Sequence, residues 1–126
     1  MKILSLSYLA LLTVALLVRN PFGRLGPELD RTGLLRIVSP AAHFGCFALL
    51  TYLLLRARWP LPKGVIIFAL LAYAAATELL QGLVPPRVPD PADAVLNLLG
   101  IVVGGYLYSR TARRAEKAIV LGNSPG

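Results

Sequence analysis

The sequence predicts an all-α fold, an integral membrane bundle of about four transmembrane helices. Of its 126 residues, 56% are hydrophobic and only 15% are charged, whereas soluble domains carry about 25% charged residues. The apolar residues are gathered into long runs, and a run of roughly 18 or more suits a helix that crosses about 30 Å of hydrocarbon. Prolines and glycines separate the runs. We therefore expect a multi-pass membrane protein.

Four apolar segments are predicted to span the membrane within one domain, 1–126. In order, they cover about residues 3–18, 40–55, 64–84 and 92–109. Lys2 and the first run together resemble a signal peptide, but no small-x-small cleavage site follows them. We therefore interpret the first segment as an uncleaved helix.

Prolines mark three of the predicted helix ends. Pro40 follows a serine, a pattern in which the hydroxyl caps the helix and the proline takes its first position. Pro85 and Pro86 end the third helix, because consecutive prolines cannot continue the hydrogen-bond ladder. Asp90-Pro91 starts the fourth helix, where an acidic group is stabilised by unpaired N–H groups and the helix dipole.

The net charge of +7 indicates lipid anchoring and not nucleic-acid binding. The basic residues lie between and after the apolar runs, where they can contact lipid headgroups. With four spans, both termini and the central turn share one side, which holds eight basic residues against five on the other. The positive-inside rule then predicts that both termini are cytoplasmic. The eight are Lys2, Arg56, Arg58, Lys63, Arg110, Arg113, Arg114 and Lys117.

Polar residues of three segments lie near one end of the predicted bundle, the outer end in this orientation. His43 lies in the first turns of the second segment, Glu78 in the last turns of the third, and Asn97 in the first turns of the fourth. A rise of about 1.5 Å per residue places them roughly 5–10 Å below one surface. Such groups are costly in hydrocarbon and are therefore candidate ligand-binding residues. The full candidate set is His43, Glu78, Gln81, Arg87, Asp90, Asp93 and Asn97.

One stripe of the fourth helix combines polar residues with glycines. Asp93, Asn97, Gly100 and Gly104 follow a spacing of four, three and four residues. The glycines would let a neighbouring helix approach and meet the polar groups. They could also form a homo-oligomer contact. A structural interpretation stays open as well, because Asp90 and Asp93 can cap the helix and Asn97 can link two helices.

The polar residues also follow an ordered pattern that resembles a known family. Glu78-Leu79-Leu80-Gln81, Arg87, Asp90, Asp93, Asn97, Gly100 and Gly104-Gly105 are similar to the Glu-x-x-Gln, Arg, Asp-x-x-Asp, Asn-x-x-Gly and glycine signature of the VanZ-like family. His43-Phe44 resembles the family's His-Phe, so the resemblance covers roughly residues 40 to 110. Members often have Asp-Lys shortly before the His-Phe, where Ser39-Pro40 stands here. If that acid takes part in the family's site, this chain lacks it.

The resemblance implies a small protein of the bacterial plasma membrane. The family's namesake is associated with resistance to the glycopeptide teicoplanin, so a link to the cell envelope and to antibiotic resistance is expected. Most members have no assigned activity.

Three functions fit the polar residues. The first is binding or modulation of a cell-envelope lipid or a glycopeptide-type ligand, so that the partner is a membrane lipid or a lipid-linked envelope molecule. Arg87 would contact phosphate or carboxylate. The alternative is an intramembrane enzyme acting on a lipid headgroup, with His43 as base and Glu78 or Asp93 as its orienting acid, or with His43 and two carboxylates on a divalent metal. The third is a proton-coupled transporter that uses Glu78.

Among these functions we expect binding, with no metal and no cofactor, and we leave the catalytic residues unassigned. The common depth of the polar groups predicts a single hydrogen-bonded cluster of Glu78, Arg87, Asp93 and Asn97, with His43 at its edge.

Overall fold

The computed structural model describes residues 1–17, 35–83 and 91–122, and this part of the chain is helical without any strand. It contains four helices, which confirms the predicted all-α fold. They are α1 (Lys2–Leu17), α2 (Leu35–Arg56), α3 (Lys63–Gly82) and α4 (Pro91–Gly122).

The helices alternate in direction along the bundle. Lys2 lies over the ring of Trp59, just before α3, at 5.4 Å from the ring centroid. Further along both helices, the hydroxyl groups of Thr13 and Tyr73 are 2.8 Å apart, so α1 and α3 run parallel. The short turn between α2 and α3 makes those two helices antiparallel. The start of α1, the end of α2 and the start of α3 therefore lie at the same end.

The most extensive contact joins α2 and α4, which run parallel. A Cβ atom on Gly100 would lie 2.5 Å from the carbonyl oxygen of Phe44 and 3.0 Å from Cβ of Phe47. On Gly104 it would collide with the carbonyl oxygen of Ala48. Only glycine permits this separation, so the predicted close packing through both glycines is confirmed. The homo-oligomer through the same pair stays a prediction, and within the chain α2 covers the stripe.

The buried core is small, and the outer surface is strongly apolar. Phe47 and Leu50 are fully buried between the helices. By contrast, Ile3, Phe68 and Val102 are 82%, 73% and 60% exposed. Exposed large apolar side chains on this scale are typical of a surface that contacts lipid or another protein. The core residues are Leu12, Phe47, Leu50, Leu55, Ile66, Leu70 and Ile101.

Among the described residues, two helices are long and apolar enough to cross a membrane. Their apolar stretches are Lys63–Leu80 and Pro91–Val120, of which only 17% and 22% is buried inside the bundle. Shorter apolar stretches occupy Lys2–Leu16 and Pro40–Arg56. The four-span arrangement therefore stays a prediction.

Two helix boundaries differ from those predicted. Helix α2 begins at Leu35, so Pro40 lies inside it and not at its first position. Since no glycine or proline separates these two residues, the helix can start early, and the proline removes only one hydrogen bond near its start. Helix α4 continues to Gly122, beyond the predicted end at Ser109. Hydropathy falls there, but the alanine, arginine, glutamate and lysine that follow favour helix.

Candidate functional site

Three of the predicted site residues meet where α2 and α4 begin. Nδ1 of His43 on α2 lies 3.1 Å from Oδ1 of Asn97 on α4. Because a carboxamide oxygen only accepts, the imidazole N–H is the donor. Nε2 of the same ring lies 3.6 Å from Oδ2 of Asp93. This distance fits an ion pair but is too long for a hydrogen bond.

Exposure rises from the interior of this site to its edge. Asn97 is buried, with 1% of its surface exposed. The side chains of His43 and Asp93 are 12% and 24% exposed. The Asn97 amide therefore contacts the imidazole from the interior of the bundle. The Asp93 carboxylate is the most exposed of the three groups, so a ligand can reach it most directly.

The site follows from spacing on α4. Asp93 lies in the first turn of the helix, which begins at Pro91 as predicted. Asn97 is one turn further on the same face. Another turn brings Gly100 against the backbone of Phe44, next to His43 in the sequence. The glycine contact therefore sets the distance at which the imidazole meets the amide.

Glu78 lies at the same level of the bundle on α3. Lys63 lies over the ring of Tyr108, 5.1 Å from the centroid, which aligns the antiparallel α3 and α4. Glu78 lies about 22 Å along α3 from Lys63, and Asp93 lies about 22 Å along α4 from Tyr108. Oε2 of Glu78 is inaccessible to solvent. Three helices therefore carry polar groups at one depth.

The structure describes no side chain for the other three candidates, Gln81, Arg87 and Asp90. Arg87 and Asp90 are outside the described residues, and so are Pro85 and Pro86. Gln81 belongs to α3, but its side chain is not described. Ligand binding by all seven candidates stays a prediction.

The described part of the site differs in one respect from the predicted cluster. His43 joins Asn97 and Asp93, whereas the sequence placed this histidine at the edge. The prediction ranked the residues by depth alone, and the glycine contact brings α2 close enough for the imidazole to lie between the other two groups.

The structure also bears on the enzymatic alternatives. Within residues 1–17, 35–83 and 91–122, no group of three His, Cys, Asp or Glu side chains could hold a metal ion. Thr77, a potential nucleophile near Glu78, is buried at 3% exposure. Its hydroxyl donates to the carbonyl oxygen of Ala74 at 2.8 Å, within its own helix.

Sequence reasoning missed two polar contacts that attach α1 to the bundle. The hydroxyl of Tyr8 donates to the carbonyl oxygen of Cys46 at 3.3 Å, and Thr13 contacts Tyr73 as described above. Hydroxyl side chains in an apolar helix often link neighbouring helices. The hydroxyl groups in the first apolar segment could therefore have predicted these contacts.

Comparison with known proteins places the chain in a family. The VanZ/LLP1 family model matches residues 5–113. The chain belongs to the VanZ/LLP1 family. The predicted resemblance is confirmed, and the match includes His43, Asp93 and Asn97. No curated protein and no solved structure matches this VanZ/LLP1 chain.

Proposed function

We propose that this VanZ/LLP1 protein is a multi-pass protein of the bacterial plasma membrane, with all four helices crossing the bilayer. The exposed apolar surface of α3 and α4 supports this placement. The shorter apolar stretches of α1 and α2 would cross by local thinning of the bilayer and by snorkelling of the flanking basic residues.

The proposed orientation places both termini in the cytoplasm. Its support is the basic end of the bundle, where the turn after α2 lies beside the start of α1. There Lys2 lies over Trp59 and Lys63 over Tyr108. Lysines paired with aromatic rings are typical of the membrane–water interface. His43, Asp93 and Glu78 then lie towards the outer surface.

The function we propose is binding of the polar part of a cell-envelope lipid or glycopeptide-type ligand at this outer end. The contact of His43 with both Asn97 and Asp93 carries the proposal. The partly exposed carboxylate would accept hydrogen bonds from hydroxyl, amide or ammonium groups. Glu78 and Gln81 are proposed as further ligand-binding residues. The predicted role of Arg87 is to contact phosphate or carboxylate, and Asp90 stays a predicted ligand-binding residue.

The same contact favours binding over base catalysis. A general base needs one nitrogen within reach of the substrate proton. In His43, Nδ1 is bonded to Asn97 and Nε2 faces Asp93. An intramembrane hydrolase or transferase would need Asp93 to move aside.

Two changes at the site test the proposal in a host that lacks its own copy of the protein. His43→Gln and Asp93→Asn remove the imidazole and the carboxylate charge. Tyr73→Phe is the control, because it removes a comparable contact between helices elsewhere. Teicoplanin susceptibility and the lipids retained in native mass spectrometry are measured at matched membrane abundance.

We expect both site variants to lose protection and the retained molecule, and the control to keep both. Site variants that behave like the wild type in both measurements would overturn the proposal. The enzymatic alternative is tested separately by incubating wild type and Asp93→Asn with envelope lipids. A cleaved or transferred headgroup that only the wild type produces would replace binding by catalysis.

A further inference from the structure

A cavity lined by two arginines lies at the end of the bundle opposite His43. Its volume is about 480 Å³, and it lies between the end of α2, the following turn and α4 beyond the bundle. Among its lining residues are Arg56, Arg58, Tyr108, Thr111, Ala112 and Ala115. The proposed function uses none of them.

The cavity is positively charged. Arg56 and Arg58 line it, and none of the lining residues that the structure describes is acidic. Nη1 of Arg56 donates to the hydroxyl of Tyr52 at 2.7 Å, which occupies one of five guanidinium donors. The remaining donors can bind an oxyanion. The position of Lys63 over the ring of Tyr108 adds another positive charge near the cavity.

The backbone of Arg58 indicates a role for its side chain. Its φ of 51° lies in the left-handed region, which glycine adopts at lower cost than any L-residue with a long side chain. An arginine in this conformation beside a second arginine offers two guanidinium groups to one cavity. Planar guanidinium groups bind phosphate through paired hydrogen bonds.

We propose that this cavity binds a phosphate ester through Arg56 and Arg58. The headgroup phosphate of an anionic phospholipid is the source that the surroundings favour, because lysine–aromatic pairs are typical of headgroup level. This choice of source rests on the proposed membrane placement. A soluble phosphate ester offers the same chemistry. The site is separate from the His43 end and does not depend on the ligand bound there.

The experiment uses the full chain in detergent, with Trp59 as reporter. It is the sole tryptophan of the sequence and follows Arg58 directly. Its fluorescence is followed during titration with phosphatidylglycerol, with phosphatidylcholine, and with glycerol 3-phosphate as soluble probe. The variants are Arg56→Gln and Arg58→Gly, with Arg113→Gln as an exposed basic control that lies outside the cavity.

We expect saturable binding of phosphatidylglycerol but not phosphatidylcholine, weakened at least about tenfold in both cavity variants because each removes charge-assisted hydrogen bonds. The Arg113→Gln control should bind like the wild type. Arg58→Gly should melt no lower than the wild type, since glycine fits this backbone, so its loss of binding would not reflect unfolding.

Equal phosphatidylglycerol binding by all variants would overturn the site, and equal binding of both lipids by the wild type would overturn the choice of an anionic headgroup. Binding of glycerol 3-phosphate alone, lost in the cavity variants, would retain the phosphate site and reject the lipid source. Absence of binding by every probe would reject both.

Discussion

The two ends of this bundle differ in how their polar side chains are arranged. At one end, His43, Asn97 and Asp93 contact one another, and the amide is almost fully buried. At the other end, Lys2 and Lys63 are exposed and lie over aromatic rings. The first arrangement holds three side chains in fixed relative positions, whereas the second leaves its charges accessible to their surroundings.

The difference fits the proposed division between ligand recognition and membrane anchoring. Side chains that hold one another at fixed distances present a defined arrangement to a ligand, because their rotamers are restricted before binding. Cations over interfacial rings can follow lipid headgroups while their stems stay in apolar surroundings. In the proposed function, the His43 end recognises the envelope ligand, and the basic end supplies orientation and phospholipid contact.

The largest effect is expected from the helix contact beneath the His43 end. Gly104→Ala should destabilise the bundle by about 3 kcal/mol, because the new methyl group meets the backbone of Ala48. Gly105→Ala is the matched control, since a Cβ there meets nothing within 4 Å. It should be neutral or stabilising by up to about 1 kcal/mol. Unfolding in mixed micelles measures both, and equal losses would show that α2 does not lie against Gly104.

A smaller loss is expected when the buried amide is removed. Asn97→Leu should cost about 2 kcal/mol, because the Nδ1–H group of His43 loses its acceptor in a buried site. Adding His43→Leu should recover part of this loss, since neither polar group is then left alone. Additive losses in this double-mutant cycle would show that the two side chains do not interact.

The smallest effect is expected at the basic end. Lys63→Gln should change the free energy of unfolding by only about 0.5 kcal/mol, because its interaction with the ring of Tyr108 is solvent-exposed. The same unfolding measurement applies. A loss as large as that of Asn97→Leu would remove the contrast between the two ends.

The sequence predicted the helices well where one physical signal dominates. Apolar runs located all four described helices, and glycine spacing predicted the contact of Gly100 and Gly104 with a neighbour. The predicted end of α4 was wrong because hydropathy marks the end of the apolar run, and the helix continues beyond that run. The predicted start of α2 was wrong because the prediction rests on Pro40 as the first helical residue, and a proline can also occupy the second turn of a helix.

The sequence was enough to select the residues of the site but not to predict which of their side chains are in contact. Depth along three helices selected His43, Glu78 and Asn97, because polar groups in apolar runs stand out. Which of them touch depends on helix rotation and separation, which spacing within one helix does not determine. The left-handed backbone of Arg58 gave no signal, since arginine is not a residue that favours this conformation.

The proposed function requires the two ends of the bundle to face opposite sides of the membrane, and cysteine labelling measures this. Cys46 is the sole cysteine of the sequence, so its replacement by alanine gives a background for single cysteines. Leu83→Cys marks the His43 end and Val120→Cys the far end of α4, and the native side chains are 76% and 66% exposed. A membrane-impermeant maleimide is added to intact cells or spheroplasts, and then to permeabilised ones. We predict that Leu83→Cys is labelled from outside and Val120→Cys only after permeabilisation. Labelling of both from one side, or the reverse pattern, would contradict the proposed orientation.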